Sequence, residues 1–311
     1  MNKNRSFQKK LSVWLLCLVS GFCIFTHSAI AYTPDSSEIL QLMVEQIGKS
    51  EGLRVMSHVY FYPADQSDSA APNNDHMAEG PFDQTAIYRF CNRFRSQITG
   101  PLYERIHVHV SGRTTTAVDG RIVFPAETTF DLYKEPLLYR DAEDFEKRLK
   151  NLGVDISVTS LGRFTRRQVL IIGAQYPDEV PAQLWVDKKT FLPVRWMIGS
   201  DFSFDGKKEG REKSGFLLKK NFLDIRFSQW KKIGDILYPK KIDFFQNKIL
   251  VRRMEAREAT ANPDLPDHFF DISHLPTGIE DRKQPGNTEV QTEIDEVEAI
   301  IEEFRKMYEP F

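Results

Sequence analysis

The chain has 311 residues, of which 41% are hydrophobic and 28% are charged, and its formal net charge is −2. This length and composition are typical of a folded globular protein, and the near-neutral charge argues against a nucleic-acid partner. Three cysteines are too few to hold the fold through disulfides, so we expect a hydrophobic core to stabilise it.

Residues 1–31 have the pattern of a secretory signal peptide. Basic residues without acidic ones occupy the start, an apolar segment follows over residues 11–25, and the small-x-small sequence Ala29-Ile30-Ala31 comes next. The apolar segment is shorter than the roughly 20 residues that cross a bilayer. We therefore predict cleavage after Ala31 and a location in the periplasm. The alternative is an uncleaved N-terminal anchor.

Cleavage would change both the charge and the cysteine content. The predicted signal peptide carries four of the 42 basic residues and none of the 44 acidic ones, so the net charge of −2 would become −6. Two of the three cysteines would be removed, which leaves Cys91 without an internal disulfide partner. No later segment reaches membrane-spanning length. We therefore predict a mature protein without a nucleic-acid partner or a stable membrane anchor.

The predicted elements begin with an amphipathic helix over residues 36–48. Apolar residues recur there at spacings of three and four, behind a cap at Asp35 or Ser36. A strand follows near residues 54–62. Residues 63–81 are rich in Asp, Ser, Ala, Asn and Pro and show neither helical nor strand periodicity, which predicts a loop.

From Gln84 onward, alternating residues between short turn signals, such as Asp119-Gly120, predict antiparallel strands. In residues 103–111, for example, Ile106 and Val108 share one face, while His107 and His109 share the other. We expect one face of each strand to be buried and the opposite face to be polar and half-exposed. The later strands are predicted at residues 156–160, 168–173, 182–187, 193–198, 221–230, 238–246 and 249–257. Together with the earlier strands, they give about ten or eleven.

Three further segments separate or follow these strands. Residues 141–152 predict a helix that ends at Gly153 and covers part of the sheet. Residues 205–220 are highly charged and predict a solvated loop, with a surface for anionic lipid headgroups as the alternative. Beyond Leu275 a polar linker leads to apolar residues at helical spacing over residues 290–304, which predicts a C-terminal helix.

The familiar catalytic motifs are absent from the sequence. It has no G-x-S-x-G nucleophile, no H-E-x-x-H zinc pair, no glycine-rich phosphate loop and no C-x-x-C pair. Catalytic groups can be scattered along a chain, so this argues against an enzyme without excluding one. We predict no enzymatic activity and no cofactor.

His107 and His109 are the best candidates for metal ligands, because residues i and i+2 on a strand point the same way. Arg105 shares their face, and no third ligand can be named. We therefore predict a half-exposed polar strand face and no metal site. The acidic residues of the segment 141–146 are interpreted as the first turn of a helix, where the helix dipole favours them, and not as catalytic carboxylates.

Aromatic residues are abundant on the predicted strands, and they allow two interpretations. They could fill an ordinary core, or they could line a cavity enclosed by a curved sheet that few helices cover. The second interpretation predicts that a ligand contacts large side chains on the inner face of the sheet. The candidates are Phe94, Trp185, Trp196, Phe227 and Phe244.

Short motifs in this chain resemble the LolA/LolB-like lipoprotein-localisation superfamily. In residues 183–196, QLWVDKKTFLPVRW, a strand ending in Asp is followed by a short turn and a Leu-Pro-x-Arg strand, and residues 261–271, ANPDLPDHFFD, resemble the closing segment of that superfamily. Residues 93–98, RFRSQI, are similar to one of its early strands. The resemblance spans roughly residues 38–275.

This resemblance implies a mainly β, α+β fold: an incomplete antiparallel β-barrel of about eleven strands, with helices as a lid over an apolar cavity for acyl chains. We predict a half-barrel domain over residues 32–275 and a linker with a helix over residues 276–311. The predicted function is that of a periplasmic, non-enzymatic carrier or binder of a lipid or lipidated protein. The alternative is an envelope sensor or protein-interaction domain of the same fold that docks an envelope protein through its C-terminal helix.

Overall fold

The computed structural model describes residues 33–62, 79–90, 92–101, 103–199, 223–273 and 275. The predicted signal peptide and its cleavage site, Cys91, the charged segment 205–220 and the C-terminal linker and helix lie outside these residues. Most of the loop predicted at residues 63–81 does so as well, although its last three residues belong to a strand. The architecture that follows is that of the compact unit beginning at Pro34.

The helices are short. They are α1 (Ser36–Ile47), a 3-10 helix (Thr129–Lys134) that continues directly into α2 (Glu135–Leu138), α3 (Ala142–Asn151), and a second 3-10 helix (Asp267–Phe270). Both predicted helices in this part of the chain are confirmed to within one residue at each end. The 3-10 helices and α2 were not predicted, because segments of four to six residues are too short to show a helical period.

The strands form most of the described chain. They are β1 (Gly52–Phe61), β2 (Glu79–Arg89), β3 (Arg93–Thr99), β4 (Glu104–Val110), β5 (Arg113–Val118), β6 (Arg121–Val123), β7 (Thr159–Phe164), β8 (Arg167–Ile172), β9 (Gln183–Asp187), β10 (Pro193–Ile198), β11 (Leu223–Ile233), β12 (Ile236–Gln246) and β13 (Ile249–Ala261).

All 13 strands belong to one antiparallel sheet, in the order β6-β5-β4-β3-β2-β1-β13-β12-β11-β10-β9-β8-β7. Two meanders, β1–β6 and β7–β13, are joined where β1 pairs with β13. Within the described residues β6 and β7 form the two edges and do not pair with each other. The prediction of a mainly β, incomplete antiparallel barrel is confirmed, with 13 strands in place of about eleven.

The sheet curls around one face, which we call the interior. The rings of Phe94 on β3 and Phe244 on β12 lie 6.1 Å and 5.9 Å from the ring of Tyr133. They are therefore at most about 12 Å apart, whereas four strand spacings would separate β3 from β12 by about 19 Å in a flat sheet. Since one side chain contacts both strands, the sheet must be strongly curved there.

Local sequence signals explain where α1 and α3 begin and end. The side chains of Asp35 and Asp141 cap α1 and α3 by accepting hydrogen bonds from the backbone N–H of Glu38 and Asp144, at 2.8 Å and 3.0 Å. Gly48 ends α1 with a φ of +107°, and a Cβ there would lie 2.0 Å from the carbonyl oxygen of Asp235. Only glycine therefore fits this close approach between α1 and β12.

The outer face of the sheet is also covered in two places. Over β2, β4 and β5, the closing segment places Leu265, Phe270 and Ile272 on an apolar cluster that includes Val108. A second outer cluster contains Trp185. The expectation that each strand has one buried and one half-exposed face is therefore wrong for these strands, because separate segments of the chain cover both faces.

Candidate ligand-binding site

The interior contains four of the five residues predicted to line a cavity. Phe94, Trp196, Phe227 and Phe244 all belong to one continuous core, and none is more than 3% exposed. The ring of Trp196 lies 6.3 Å from that of Phe145 on α3. The four side chains thus share one apolar environment beneath the helices, and their contact with a ligand stays a prediction.

Trp185 lies on the opposite face of the sheet. Its neighbours on β9, Leu184 and Val186, point into the interior, and side chains alternate along a strand. Trp185 packs instead against Phe164, with ring centroids 5.6 Å apart, and against the guanidinium of Arg195 at 4.7 Å. Trp185 was predicted to line the cavity with the other four because β9 is buried on both faces. Apolar and polar residues therefore do not alternate along it, and the sequence does not show which face is inside.

Residues 127–138 fill the middle of the interior, and we call them the plug segment. It comprises the end of a loop, the 3-10 helix and α2. Its apolar side chains are almost completely buried against the sheet: Phe130, Leu132, Tyr133, Leu137 and Leu138. The plug segment thus occupies space that an apolar ligand in a half-barrel would use.

The polar side of the plug segment is held by a buried network of charges. The Lys134 ammonium contacts the carboxylate of Glu127 and lies 3.2 Å from that of Glu135. Arg148 of α3 donates two hydrogen bonds of 3.0 Å to Glu135. Burial alone would raise the pKa of Glu135, but Lys134 and Arg148 reverse that effect and lower it to about 2. The charges therefore stay ionised although they are buried.

A second ion pair fastens the plug segment to the sheet. Arg105 on β4 donates two hydrogen bonds, of 2.9 Å and 2.8 Å, to the two carboxylate oxygens of Asp131. Asp131 also accepts from the backbone N–H and the hydroxyl of Thr128, which caps the 3-10 helix. One carboxylate thus both starts this helix and attaches it to β4.

His107 and His109 lie beneath the plug segment, and their predicted half-exposed surroundings are wrong. They are 0% and 3% exposed, because the plug segment covers this face of β4. Their Nδ1 atoms lie 2.9 Å and 3.1 Å from the hydroxyls of Thr116 and Thr114. Burial lowers the pKa of His107 to about 3 and that of His109 to about 4, so both are neutral at pH 7.

The tautomer of His107 follows from its neighbours. The Thr116 hydroxyl donates its proton to the carbonyl of Ala126, so it accepts from Nδ1–H of His107. Nε2 is then an unprotonated acceptor, and it has no hydrogen-bond partner among the described residues. Among the same residues no group of three His, Cys, Asp or Glu side chains could hold a metal ion.

A crevice opens beside the plug segment, between α2 and strands β1, β2 and β12. It is narrow, and its lining consists of Leu53, Tyr88, Phe90, Leu137, Arg140, Ile236, Leu237 and Tyr238. The guanidinium of Arg140 stacks on the Phe90 ring, 3.6 Å from its centroid. Tyr88 and Tyr238 are buried there, and their ring centroids lie 6.1 Å apart.

The residues of this site gave little signal in the sequence. Lys134 and Glu135 lie in a segment without periodicity, and Arg148 belongs to a helix most of whose other charged residues face solvent. Asp131 could have been found as a helix-capping residue, because Thr128 and Asp131 have the spacing of a capping box. The hydrogen-bond partner of each residue depends on the tertiary fold.

Comparison with known proteins finds likeness in the fold only. No family model and no curated protein matches the chain. Among solved structures, it is similar to a LolA superfamily protein from Nitrosomonas europaea, with a TM-score of 0.47, 12% identity, and coverage of 78% of this chain and 100% of that one. It is also similar to a domain from Vibrio parahaemolyticus named for outer membrane lipoprotein sorting, with a TM-score of 0.44, 8% identity, and coverage of 76% and 97%.

A DUF1329 family protein from Desulfovibrio piger is similar as well, with a TM-score of 0.44, 10% identity, and coverage of 78% of this chain and 100% of that one. The superfamily named in the first match is the one that the sequence motifs resemble. Two of those motifs have clear places in the fold. Residues 183–196 form the β9–β10 hairpin, in which Asp187 accepts hydrogen bonds from the backbone N–H of Lys189 and Thr190. The closing segment packs on the outer face of the sheet.

Within the described residues, no helix is long and apolar enough to span a bilayer.

Proposed function

We propose that this chain is a periplasmic, non-enzymatic binder of acyl chains, carried by a lipid or a lipidated protein, and that the acyl chain binds in the interior when the plug segment moves aside. One observation carries the proposal. The apolar interior is filled by a short segment whose apolar side chains pack against the sheet and whose polar side is held by ion pairs.

The energetics favour a reversible exchange. An acyl chain gains about 0.8 kcal/mol for each CH₂ group that it buries, and the displaced side chains of the plug segment lose a comparable apolar contact. The cost of desolvating two buried charges cancels much of the attraction between them, so the ion pairs fix the position of the plug segment without adding great stability. The state with the plug segment in the interior and the state with an acyl chain there would therefore differ by a small free energy.

The crevice supplies a point of access in this proposal. Its wall combines apolar side chains from three strands with Leu137 of the plug segment. The Arg140 guanidinium forms part of this wall, where it stacks on Phe90. An acyl chain that inserts there would contact Leu137 first, and displacement of Leu137 would extend the crevice beneath α2.

Two tryptophans, one on each face of the sheet, provide a direct test. Trp196 and Trp185 lie on adjacent strands, each is 1% exposed, and they face opposite sides of the sheet. In two variants of the exported protein, tryptophans are replaced by phenylalanine so that only Trp196 or only Trp185 is retained. Bromine quenches tryptophan fluorescence on contact, so 9,10-dibromostearate should quench Trp196 and leave Trp185 bright.

Equal quenching of both tryptophans would indicate nonspecific adsorption, and quenching of neither would rule out an acyl ligand in the interior. If no acyl chain binds, a protein that co-purifies with the full chain and is lost when residues 283–311 are deleted would favour the alternative function. Native mass spectrometry of the protein extracted from the periplasm should detect a bound lipid if the proposal is right.

A further inference from the structure

Arg252 is a buried cation on the inner face of β13. Its side chain points into the interior, and the residue is 4% exposed. The strands on either side place Phe61 and Phe244 directly opposite it. Its guanidinium lies 5.6 Å and 5.0 Å from the centroids of these two rings. Phe244 in turn contacts Tyr133, so Arg252 lies next to the plug segment.

No carboxylate balances this charge among the described residues. Arg252 forms no ion pair there, and Nε has no hydrogen-bond partner. Within the described part of the chain, Nη2 donates only to the sulfur of Met254, at 3.5 Å, and a thioether is a weak acceptor. The nearby acid of the plug segment, Asp131, already accepts two hydrogen bonds from Arg105.

This arrangement is costly unless an anion completes it. Burial of a cation carries a large desolvation penalty, which two aromatic rings offset only in part. Nε and Nη2 form the edge through which a guanidinium donates two parallel hydrogen bonds to one carboxylate or phosphate. In Arg252 that edge carries nothing but the thioether contact.

We propose that Arg252 binds the anionic headgroup of an amphiphile, a carboxylate or a phosphate at the end of an acyl chain. The inference rests on the proposed function, because the chain of the same ligand would occupy the apolar interior. The oxyanion takes the place of the Met254 sulfur on the Nε–Nη2 edge, and the chain extends along the aromatic surface that begins with Phe244. The interior therefore selects ionised amphiphiles over neutral ones of equal length.

The test compares three ligands of one chain length at pH 8: hexadecanoate, hexadecyl phosphate and hexadecanol. Each competes with the neutral fluorescent probe N-phenyl-1-naphthylamine for the exported full chain. We expect the two anions to bind about 10- to 100-fold more tightly than the alcohol, as for a hydrogen-bonded charge pair. The ratio between the acid and the phosphate distinguishes a fatty acid from a phosphorylated lipid as the source of the headgroup.

Arg252→Met should remove the preference for anions, and binding of hexadecanol by this variant would show that it is folded. Arg253→Met is the matched control. Arg253 is the next residue of β13 but faces outward, where its Nε donates to Asp243 at 2.6 Å. This variant should retain the wild-type preference.

Equal affinity of the wild type for acid and alcohol, or a preference that survives Arg252→Met, would overturn the inference and leave the proposed function standing. Failure of all three ligands to bind would overturn both. If Arg252→Met does not fold, NMR of hexadecanoate labelled with ¹³C at the carboxyl group tests the wild type alone. The bound acid should titrate at a lower pH than in water, and titration at a higher pH would contradict a guanidinium partner.

Discussion

Asp131 connects three parts of the molecule through one carboxylate. It caps the 3-10 helix, pairs with Arg105 on β4, and lies 3.8 Å from the ring of His107. Burial alone would raise its pKa, but the charge and hydrogen bonds of Arg105 reverse that effect, so the pKa lies well below its usual range. The side chain is therefore an anion at pH 7 although it is buried.

Removal of this anion should destabilise the protein strongly. In Asp131→Ala, the largely buried Arg105 would lose the carboxylate that neutralises it, which typically costs about 3–5 kcal/mol. We expect the free energy of unfolding, measured by urea titration with tryptophan fluorescence, to fall by that amount. Asp267→Ala is the control, because Asp267 also pairs with strand arginines but is exposed. Similar losses in both variants would contradict the distinction.

The two buried histidines should make the fold sensitive to acid. Their pKa values are about 3 and 4 in the folded protein, against about 6.5 in an unfolded chain. Below pH 6.5 the unfolded state binds protons that the folded state does not, so stability falls as the pH falls. Glu135 adds to the loss below about pH 4.5, since its folded pKa is about 2.

Thermal melts at pH 7, 6, 5 and 4 should therefore show a continuous decrease in Tm that begins near pH 6.5. Each histidine contributes up to about 1.4 kcal/mol per pH unit. His109→Gln should reduce the decrease between pH 6 and 5, because it removes one of the two buried groups that bind a proton only in the unfolded state. A Tm that is constant from pH 7 to 5 would mean that the histidines accept protons without cost.

At the scale of elements, α3 acts as a brace for the plug segment. Arg148 reaches from α3 to Glu135, and Phe145 of the same helix contacts Trp196 in the interior. The helix therefore couples the charged side of the plug segment to the apolar surface below it. Loss of the Arg148 contact should weaken closure without removing the apolar anchor.

Arg148→Met tests this coupling. If the variant destabilises the plug segment in the interior by about 1–2 kcal/mol, the fraction of molecules with the plug segment displaced would rise about 5- to 30-fold. Uptake of a fluorescent fatty acid in stopped-flow experiments should accelerate by a similar factor. Lys150→Met is the control, because Lys150 lies in the same turn of α3 and pairs with Glu146 of its own helix. An unchanged uptake rate in Arg148→Met would show that the plug segment does not limit access.

The sequence predicted the regular elements well, for reasons that are local. Both helices have an apolar stripe and an aspartate cap, and these signals lie within each segment. The turn at Asp119-Gly120 was also predicted, and both residues have positive φ. By contrast, β5 contains three successive threonines and β6 has three residues, so neither shows alternation and the strand count was too low.

The candidate site was predicted less well, because its burial comes from distant segments. His107 and His109 form a polar stripe that reads as exposed until the plug segment is placed over it. Trp185 and Trp196 look equivalent in sequence, and only the registers of β9 and β10 separate their faces. Pairing between residues far apart in the chain cannot be read from local periodicity.

At the scale of the whole molecule, the two meanders depend on each other through the interior. Their direct connection is the β1–β13 pair, and the plug segment, which follows the first meander, packs against β12 of the second. A ligand that replaces the plug segment would have to take over this contact between the two halves. Binding should therefore loosen one segment while the sheet stays intact.

Hydrogen exchange measured by mass spectrometry can detect displacement of the plug segment by a ligand. With hexadecanoate or hexadecanol present at saturation, we expect amides of residues 129–138 to exchange faster than in the free protein, because the plug segment has left the interior. Amides of β12 and β13 should exchange at the same rate or more slowly, since the ligand binds the folded sheet and stabilises it by mass action. Slower exchange throughout, the plug segment included, would mean that the ligand binds outside a closed interior. In that case the crevice beside α2, and not the space beneath the plug segment, would be the binding site.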